Sequence, residues 1–120
     1  MTTKQFIQMI GEAETGGLKR AQDRLEAIGD SGLAGGFYQQ HWTWRRDYWP
    51  LWAWTVLRLM DEAALEQYIQ AHPGRTAREL ADNYNLGHQA PDPAYDERCL
   101  SGLSRLGISA EELDKPVSDD

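Results

Sequence analysis

Apolar residues recur with helical spacing at the start of the chain. The positions that follow the i, i+3, i+4, i+7 pattern are Phe6, Met9, Ile10 and Ala13. Thr2 and Thr3 precede them as candidate N-caps, and the glycine pair at 16–17 follows them. The pattern predicts a first helix over residues 4–14.

Three further stretches show the same period. A short second helix is predicted before Gly29, and Pro50 is well placed to open a helix that is apolar almost all round; residues 61–71 continue that helix or begin another. Thr76 and Glu79 form a capping-box pattern for a helix that runs to about Asn85. We expect the long apolar helix to be central to the core.

The C-terminal part of the chain predicts one more helix and a final turn. Apolar residues at helical spacing follow Pro93, namely Tyr95, Cys99, Leu103 and Leu106. Ser109 and Glu112 repeat the capping-box pattern. Because strand-like alternation is scarce, we predict a single, mainly α domain over residues 1–114, with little or no sheet and an acidic tail at 115–120. The segment 29–36, "GDSGLAGG", is too rich in glycine for a helix and is expected to form a loop.

Charge and composition exclude several classes of partner. Acidic residues outnumber basic ones by 19 to 12, which gives a net charge of −7, whereas nucleic acids and anionic membranes call for a basic face. No apolar run approaches the roughly 20 residues that span a bilayer. The N-terminal stretch lacks the charged head and the apolar run of a secretory signal.

No metal or cofactor site is indicated by the sequence. Cys99 is the single cysteine, and the three histidines, His41, His72 and His88, show no spacing typical of metal ligands. We therefore expect neither a cofactor nor a metal, and we expect a monomer.

Glu14 is the first candidate for chemistry. It lies on the flank of the apolar stripe of the first helix and near the end of that helix. Partial burial and the negative end of the helix dipole both disfavour the ionised form, so they would raise the pKa of this carboxyl. Such a position suits a general acid.

Four short motifs, in this order, resemble those of the lysozyme-like superfamily, above all bacterial lytic transglycosylases and invertebrate-type lysozymes. They are "ETGG" at 14–17, "GDSGLAGGFYQQHW" at 29–42, "ELADNYNLG" at 79–87 and "YDERCL" at 95–100. The resemblance implies a small lysozyme-like helical domain in which the glycine-rich loop forms one wall of a cleft.

The resemblance also implies a set of site residues. Glu14 takes the place of the catalytic acid, and Gln39 takes that of the glutamine that lines the cleft. The tyrosine-asparagine pair and the late cleft tyrosine correspond to Tyr84, Asn85 and Tyr95. Asp30 lies near the place of the second carboxylate of invertebrate-type lysozymes, which transglycosylases generally lack; an aspartate before Ser-Gly in a glycine-rich loop is more often an Asx-turn residue that bonds its own backbone.

Aromatic residues are concentrated between residues 37 and 54. Their flat apolar faces can stack on sugar rings. Tyr38 and Trp42, next to the glycine-rich loop, are candidates for the cleft, whereas Trp52 and Trp54 belong to the apolar helix and are predicted to lie in the core.

The resemblance implies a glycosidase that cleaves the glycan strand of peptidoglycan. Both hydrolysis, assisted by Asp30, and transglycosylation by Glu14 alone are open at this point. Without a signal, such a protein would be made in the cytoplasm and would reach the cell wall after lysis or through a delivery machine. The rival interpretation is a non-enzymatic, acidic helical binding protein of the immunity or adaptor type, or a lysozyme-fold protein that has lost catalysis.

Overall fold

The computed structural model of the chain describes residues 1–29, 34–41 and 51–118, and for residues 41 and 51–57 it describes the backbone alone. The fold is mainly α, as predicted. The five α-helices of the described part are α1 (Thr3–Thr15), α2 (Ala21–Glu26), α3 (Leu51–Ala71), α4 (Ala77–Leu86) and α5 (Pro93–Leu106). A 3₁₀ helix, Ala110–Asp114, follows α5.

Capping residues fix the ends of the helices that carry the candidate site. Thr2 caps α1 through a capping box completed by Gln5. Thr76 and Glu79 form the capping box predicted for α4, which ends at Gly87 with a left-handed φ of 80°. α2 is shorter than the predicted second helix, because Ile28 already belongs to a strand.

A small antiparallel sheet interrupts the helices. Its strands are β1 (Ile28–Gly29), β2 (Ala34–Gly35) and β3 (Gln40–His41), in the order β1-β2-β3. Ile28 pairs with Gly35, and Ala34 pairs with His41. Each strand has only two residues, so the prediction of little or no sheet is confirmed.

The core is built around α1, whose buried face packs mainly on α5. Two glycines permit this packing. A Cβ at Gly102 would lie 2.9 Å from the Cβ of Glu12, and a Cβ at Gly11 would lie 2.8 Å from the ring of Phe37. α1 therefore approaches α5 on one side and the aromatic residues after β2 on the other.

The C-terminal segment is paired with the body of the domain. Residues 115–118, which were predicted to belong to a tail, include backbone bridges from Ser118 to Thr2 and from Pro116 to Thr76. The capping box predicted for Ser109 and Glu112 is wrong, since the Ser109 hydroxyl accepts a hydrogen bond from the Glu111 amide at the start of a 3₁₀ helix.

α3 is one continuous helix of 21 residues. Leu65 and Ile69 are buried in the core, whereas Leu59 and Met60 are exposed. The predicted core positions of Trp52 and Trp54 lie outside the described side chains. Among the described residues, no helix is long and apolar enough to cross a bilayer.

Candidate active site

A cleft of about 600 Å³ lies where α1, α3, α4, α5 and the small sheet meet. Its polar lining includes Glu14, Gln39, Tyr68, Tyr84, Asn85 and Arg98. Four of the residues predicted to form a site, far apart in sequence, thus share one cleft.

Glu14 is held at the wall of the cleft by residues of α5. Its side chain is 11% exposed, and its Oε2 lies 3.7 Å from a terminal nitrogen of Arg98. Its Oε1 accepts a hydrogen bond of 2.7 Å from the hydroxyl of Tyr95. The carboxyl is therefore fixed in orientation, which a general acid requires.

Tyr95 supports Glu14 from beneath and does not line the cleft. It is 1% exposed, and burial, followed by the nearby Glu14, raises the pKa of its hydroxyl well above the ordinary value. The phenol therefore keeps its proton and remains a donor to Glu14. Tyr95, predicted to bind substrate as the late cleft tyrosine, therefore lies next to the acid and beneath the residues that line the cleft.

The next residue of the "ETGG" motif joins α1 to the segment after β2. The hydroxyl of Thr15 donates a hydrogen bond of 2.8 Å to the carbonyl of Phe37. Thr15 is 4% exposed, and Arg24 donates to its hydroxyl at 3.0 Å. The end of α1, and with it Glu14, is thereby held against the loop wall.

Gln39 lines the cleft and also fixes its loop. Its side-chain nitrogen donates to the carbonyls of Ala27 and Gly36 at 2.9 and 2.8 Å. Gln39 has a left-handed φ of 51°, which is uncommon for a residue with a side chain. The side-chain amide therefore closes the turn, with its Oε1 against Gly29.

Tyr84 and Asn85 form the α4 wall of the cleft. The hydroxyl of Tyr84 donates to the backbone carbonyl of Tyr38, which ties α4 to the loop. Asn85 is exposed, and its side-chain nitrogen donates to Asp92 at 2.6 Å. Both predicted residues thus lie in the cleft and also hold neighbouring elements.

The prediction that Tyr38 stacks on substrate in this cleft is wrong. Tyr38 is 2% exposed and belongs to the core. Its hydroxyl donates to Glu62, and its ring packs against Phe37 at 5.1 Å between centroids. The absence of a side chain at Gly11 leaves room for these rings beneath α1.

Two further predicted site residues, Asp30 and Trp42, lie outside the described residues.

Arg98 and Tyr68 are cleft residues that sequence reasoning missed. Arg98 donates from Nε to the carbonyl of Ala13 at 2.9 Å. It follows Tyr95 by three residues on α5, so the helical period places both on one face. If Tyr95 faces Glu14, that spacing alone puts Arg98 nearby.

The described part of the chain contains no group of three or more histidine, cysteine or acidic side chains that could hold a metal ion.

The cleft is open, holds a firmly oriented carboxyl and has amide and phenol groups on its walls. This arrangement is suited to bind a polar chain molecule and to transfer a proton to it.

Comparisons with protein-family models, with curated proteins and with solved structures give no match to this chain.

Proposed function

We propose that this protein cleaves the glycan strand of peptidoglycan, as a lytic transglycosylase or a muramidase, with Glu14 as the general acid. One observation carries the proposal. Glu14, Gln39, Tyr84 and Asn85, chosen from three separate motifs of the sequence, line the same cleft.

The surroundings of Glu14 favour this function over a structural role. Cleavage of a glycosidic bond needs a carboxyl that can reach the leaving oxygen from the wall of an open cleft. Glu14 lines such a cleft, and Tyr95 fixes its orientation from the protein side. The cleft volume of about 600 Å³ is within the range of small-molecule sites and is enough for part of a sugar chain.

Glu14 would donate its proton to the leaving oxygen while positive charge develops on the sugar ring. In hydrolysis, water then reacts at the sugar carbon. In transglycosylation, the 6-hydroxyl of the same sugar closes onto that carbon, and the carboxylate of Glu14 removes its proton. The first route gives a reducing end and the second a 1,6-anhydro end.

The first prediction tests Glu14 directly. Glu14→Gln keeps the shape of the side chain and its hydrogen-bond acceptor for Tyr95, but it cannot supply an acidic proton. We expect a loss of turnover of at least about 100-fold with unchanged sugar binding. The measurement is the release of soluble muropeptides from purified sacculi, identified by mass spectrometry.

Glu97→Gln is the matched control, because Glu97 is an exposed glutamate on α5. It should release muropeptides at the wild-type rate. Equal release by wild type and Glu14→Gln would refute the assignment.

The ends of the products separate the two reactions, and Asp30→Asn tests the second carboxylate. Reducing ends in the products, together with a large loss of activity in Asp30→Asn, would indicate a two-carboxylate muramidase.

The second candidate function is a binding protein that uses the same cleft without catalysis. The observation in its favour is the approach of Arg98 to Glu14, since a salt-bridged carboxylate is a weak proton donor. Leu59, 63% exposed on α3, offers apolar surface for a partner protein. Sacculi that sediment with the wild-type protein and yield no soluble muropeptides at any pH between 4 and 8 would support this candidate.

A further inference from the structure

Arg98 occupies an unusual place for a cation. It lines the cleft and also a smaller depression of about 310 Å³. Its Nε is fixed to the Ala13 carbonyl at 2.9 Å, and the guanidinium carbon lies 5.3 Å from the ring centroid of Tyr95. The free end of the side chain is thereby directed at Glu14.

The phenols and the thiol around Glu14 keep their protons at ordinary pH, whereas Asp61 on α3, which like Glu14 raises the pKa of Tyr84, is a buried carboxyl. Tyr84 from α4 and Tyr95 from α5 both have a pKa raised well above the ordinary value, by burial first and by Glu14 next. Burial raises the pKa of the Cys99 thiol to about 12. Tyr68, which lines the cleft from α3, also has a raised pKa through burial.

Arg98 brings a full positive charge to within 3.7 Å of Glu14. It also lies at the end of α1, where its Nε–H satisfies a carbonyl at the negative end of the helix dipole. Both effects stabilise the carboxylate form of Glu14 relative to the acid form. A general acid is active only in the acid form, so this contact opposes the reaction at neutral pH.

We infer that Arg98 is a positioning residue that holds Glu14 in its ionised form in the free protein and so limits the glycan cleavage to acidic pH. The inference rests on the proposed function as far as the activity is concerned. The effect on the charge of Glu14 is independent of any activity.

The test is the substitution Arg98→Gln, which removes the charge and retains a hydrogen-bond donor. An opposite charge at this distance shifts a carboxyl titration by about 1 to 3 units when desolvated, and the 50% exposure of Arg98 reduces this to about 0.5 to 1 unit. We expect the titration midpoint of the Glu14 carboxyl, followed by ¹³C NMR, to rise by that amount. The Glu14 resonance is identified by its absence from Glu14→Gln.

The same variant is expected to gain activity. The alkaline limb of the pH profile of kcat/KM on sacculi should move to higher pH together with the titration midpoint. Muropeptide release at pH 7 to 8 should therefore increase about 3- to 10-fold. A residue that only stabilised the fold would give a loss at every pH. Arg98→Lys keeps the charge. Its Glu14 titration midpoint and the alkaline limb of its kcat/KM profile should both stay within about 0.3 pH units of wild type.

Arg105→Gln is the control for loss of a cation from the same helix. Arg105 lies two turns further along α5 and donates to Glu12 at 3.0 Å, so its removal should leave the Glu14 midpoint unchanged. An Arg98→Gln midpoint equal to that of wild type would overturn the inference. A raised midpoint in a protein with no activity at any pH would uphold the inference and reject the proposed function.

Discussion

At the scale of single residues, the candidate site depends on how one carboxyl is held. Glu14 receives a hydrogen bond from Tyr95 and lies near Arg98, and both of these residues belong to α5. The hydroxyl of Tyr95 fixes the orientation of the acid, and the charge of Arg98 favours its ionised form. A hydrogen bond donated to a carboxylate also favours that form, so two side chains one helical turn apart both act on the charge of Glu14.

Tyr95→Phe removes the hydroxyl that donates to Glu14 and keeps the buried ring. We expect kcat on sacculi to fall by about 10- to 100-fold while KM stays within about twofold. The reason is that the orientation of Glu14 matters when its proton is transferred and not when the glycan binds. The cost in unfolding free energy should be about 1 kcal/mol, measured by urea denaturation. A rise in KM with unchanged kcat would show that Tyr95 acts in binding and not in orienting Glu14.

At the scale of elements, the site depends on the close packing of α1 on α5. Gly102 provides the contact, since a methyl group there would lie 2.9 Å from the Cβ of Glu12 and 3.5 Å from the Met9 carbonyl oxygen. These atoms belong to the helix body and cannot rotate away. The distance between the two helices is therefore set by the absence of one side chain.

Gly102→Ala should lower the unfolding free energy by about 1 to 3 kcal/mol, as expected for overpacking a filled interface. The measurement is urea denaturation followed by circular dichroism. Ser101→Ala is the matched control, because Ser101 is exposed on the same helix turn and should change stability by no more than about 0.5 kcal/mol. Equal urea midpoints for Gly102→Ala and Ser101→Ala would mean that α1 and α5 can move apart and accept the added methyl group without loss of stability.

The sequence predicted these helices because their caps and apolar periods are local signals. Thr76, Glu79 and Gly87 define α4 in both sequence and structure. The sheet gave no such signal, since strands of two residues cannot show alternation. The burial of Tyr38 also escaped prediction, because it depends on space left by Gly11, which belongs to a helix far away in the sequence.

At the scale of the whole molecule, stability should depend on pH through a buried acidic pair between α4 and α5. Asp82 and Asp96 are 4% and 8% exposed, and each has a carboxylate oxygen without a hydrogen-bond partner among the described residues. Arg78 donates to Asp96 at 3.0 Å. Burial, and next Asp96, raises the pKa of Asp82 to about 7, while a backbone hydrogen bond from Asp92 opposes the rise.

The raised pKa has a definite sign for stability. The folded protein holds a proton on Asp82 that the unfolded chain releases above the ordinary aspartate pKa of 3.8. The protonation of Asp82 therefore contributes fully to the unfolding free energy below about pH 4. This contribution is lost as pH rises toward 7, with a slope of at most about 1.4 kcal/mol per pH unit. Carboxyls with lowered pKa values, such as Asp114 beside Arg78, have the opposite sign and act at lower pH.

Asp82→Asn mimics the protonated acid at every pH. We expect the difference in unfolding free energy between Asp82→Asn and wild type to increase in favour of the variant between pH 4 and 7 and then to level off. Urea denaturation at half-unit steps of pH measures this difference, and Glu97→Gln serves as the control. A difference that does not change with pH would show that folding leaves the proton affinity of Asp82 unchanged.

The buried thiol of Cys99 has a practical consequence for following the molecule in motion. Cys99 is the single cysteine of the chain and is 0% exposed on the α5 face of the core. A thiol reagent can reach it only when the helices of the core part, so the rate of labelling reports how often the core opens. Because Cys99 lies on the helix that carries Tyr95 and Arg98, this rate measures the local stability of the candidate site itself.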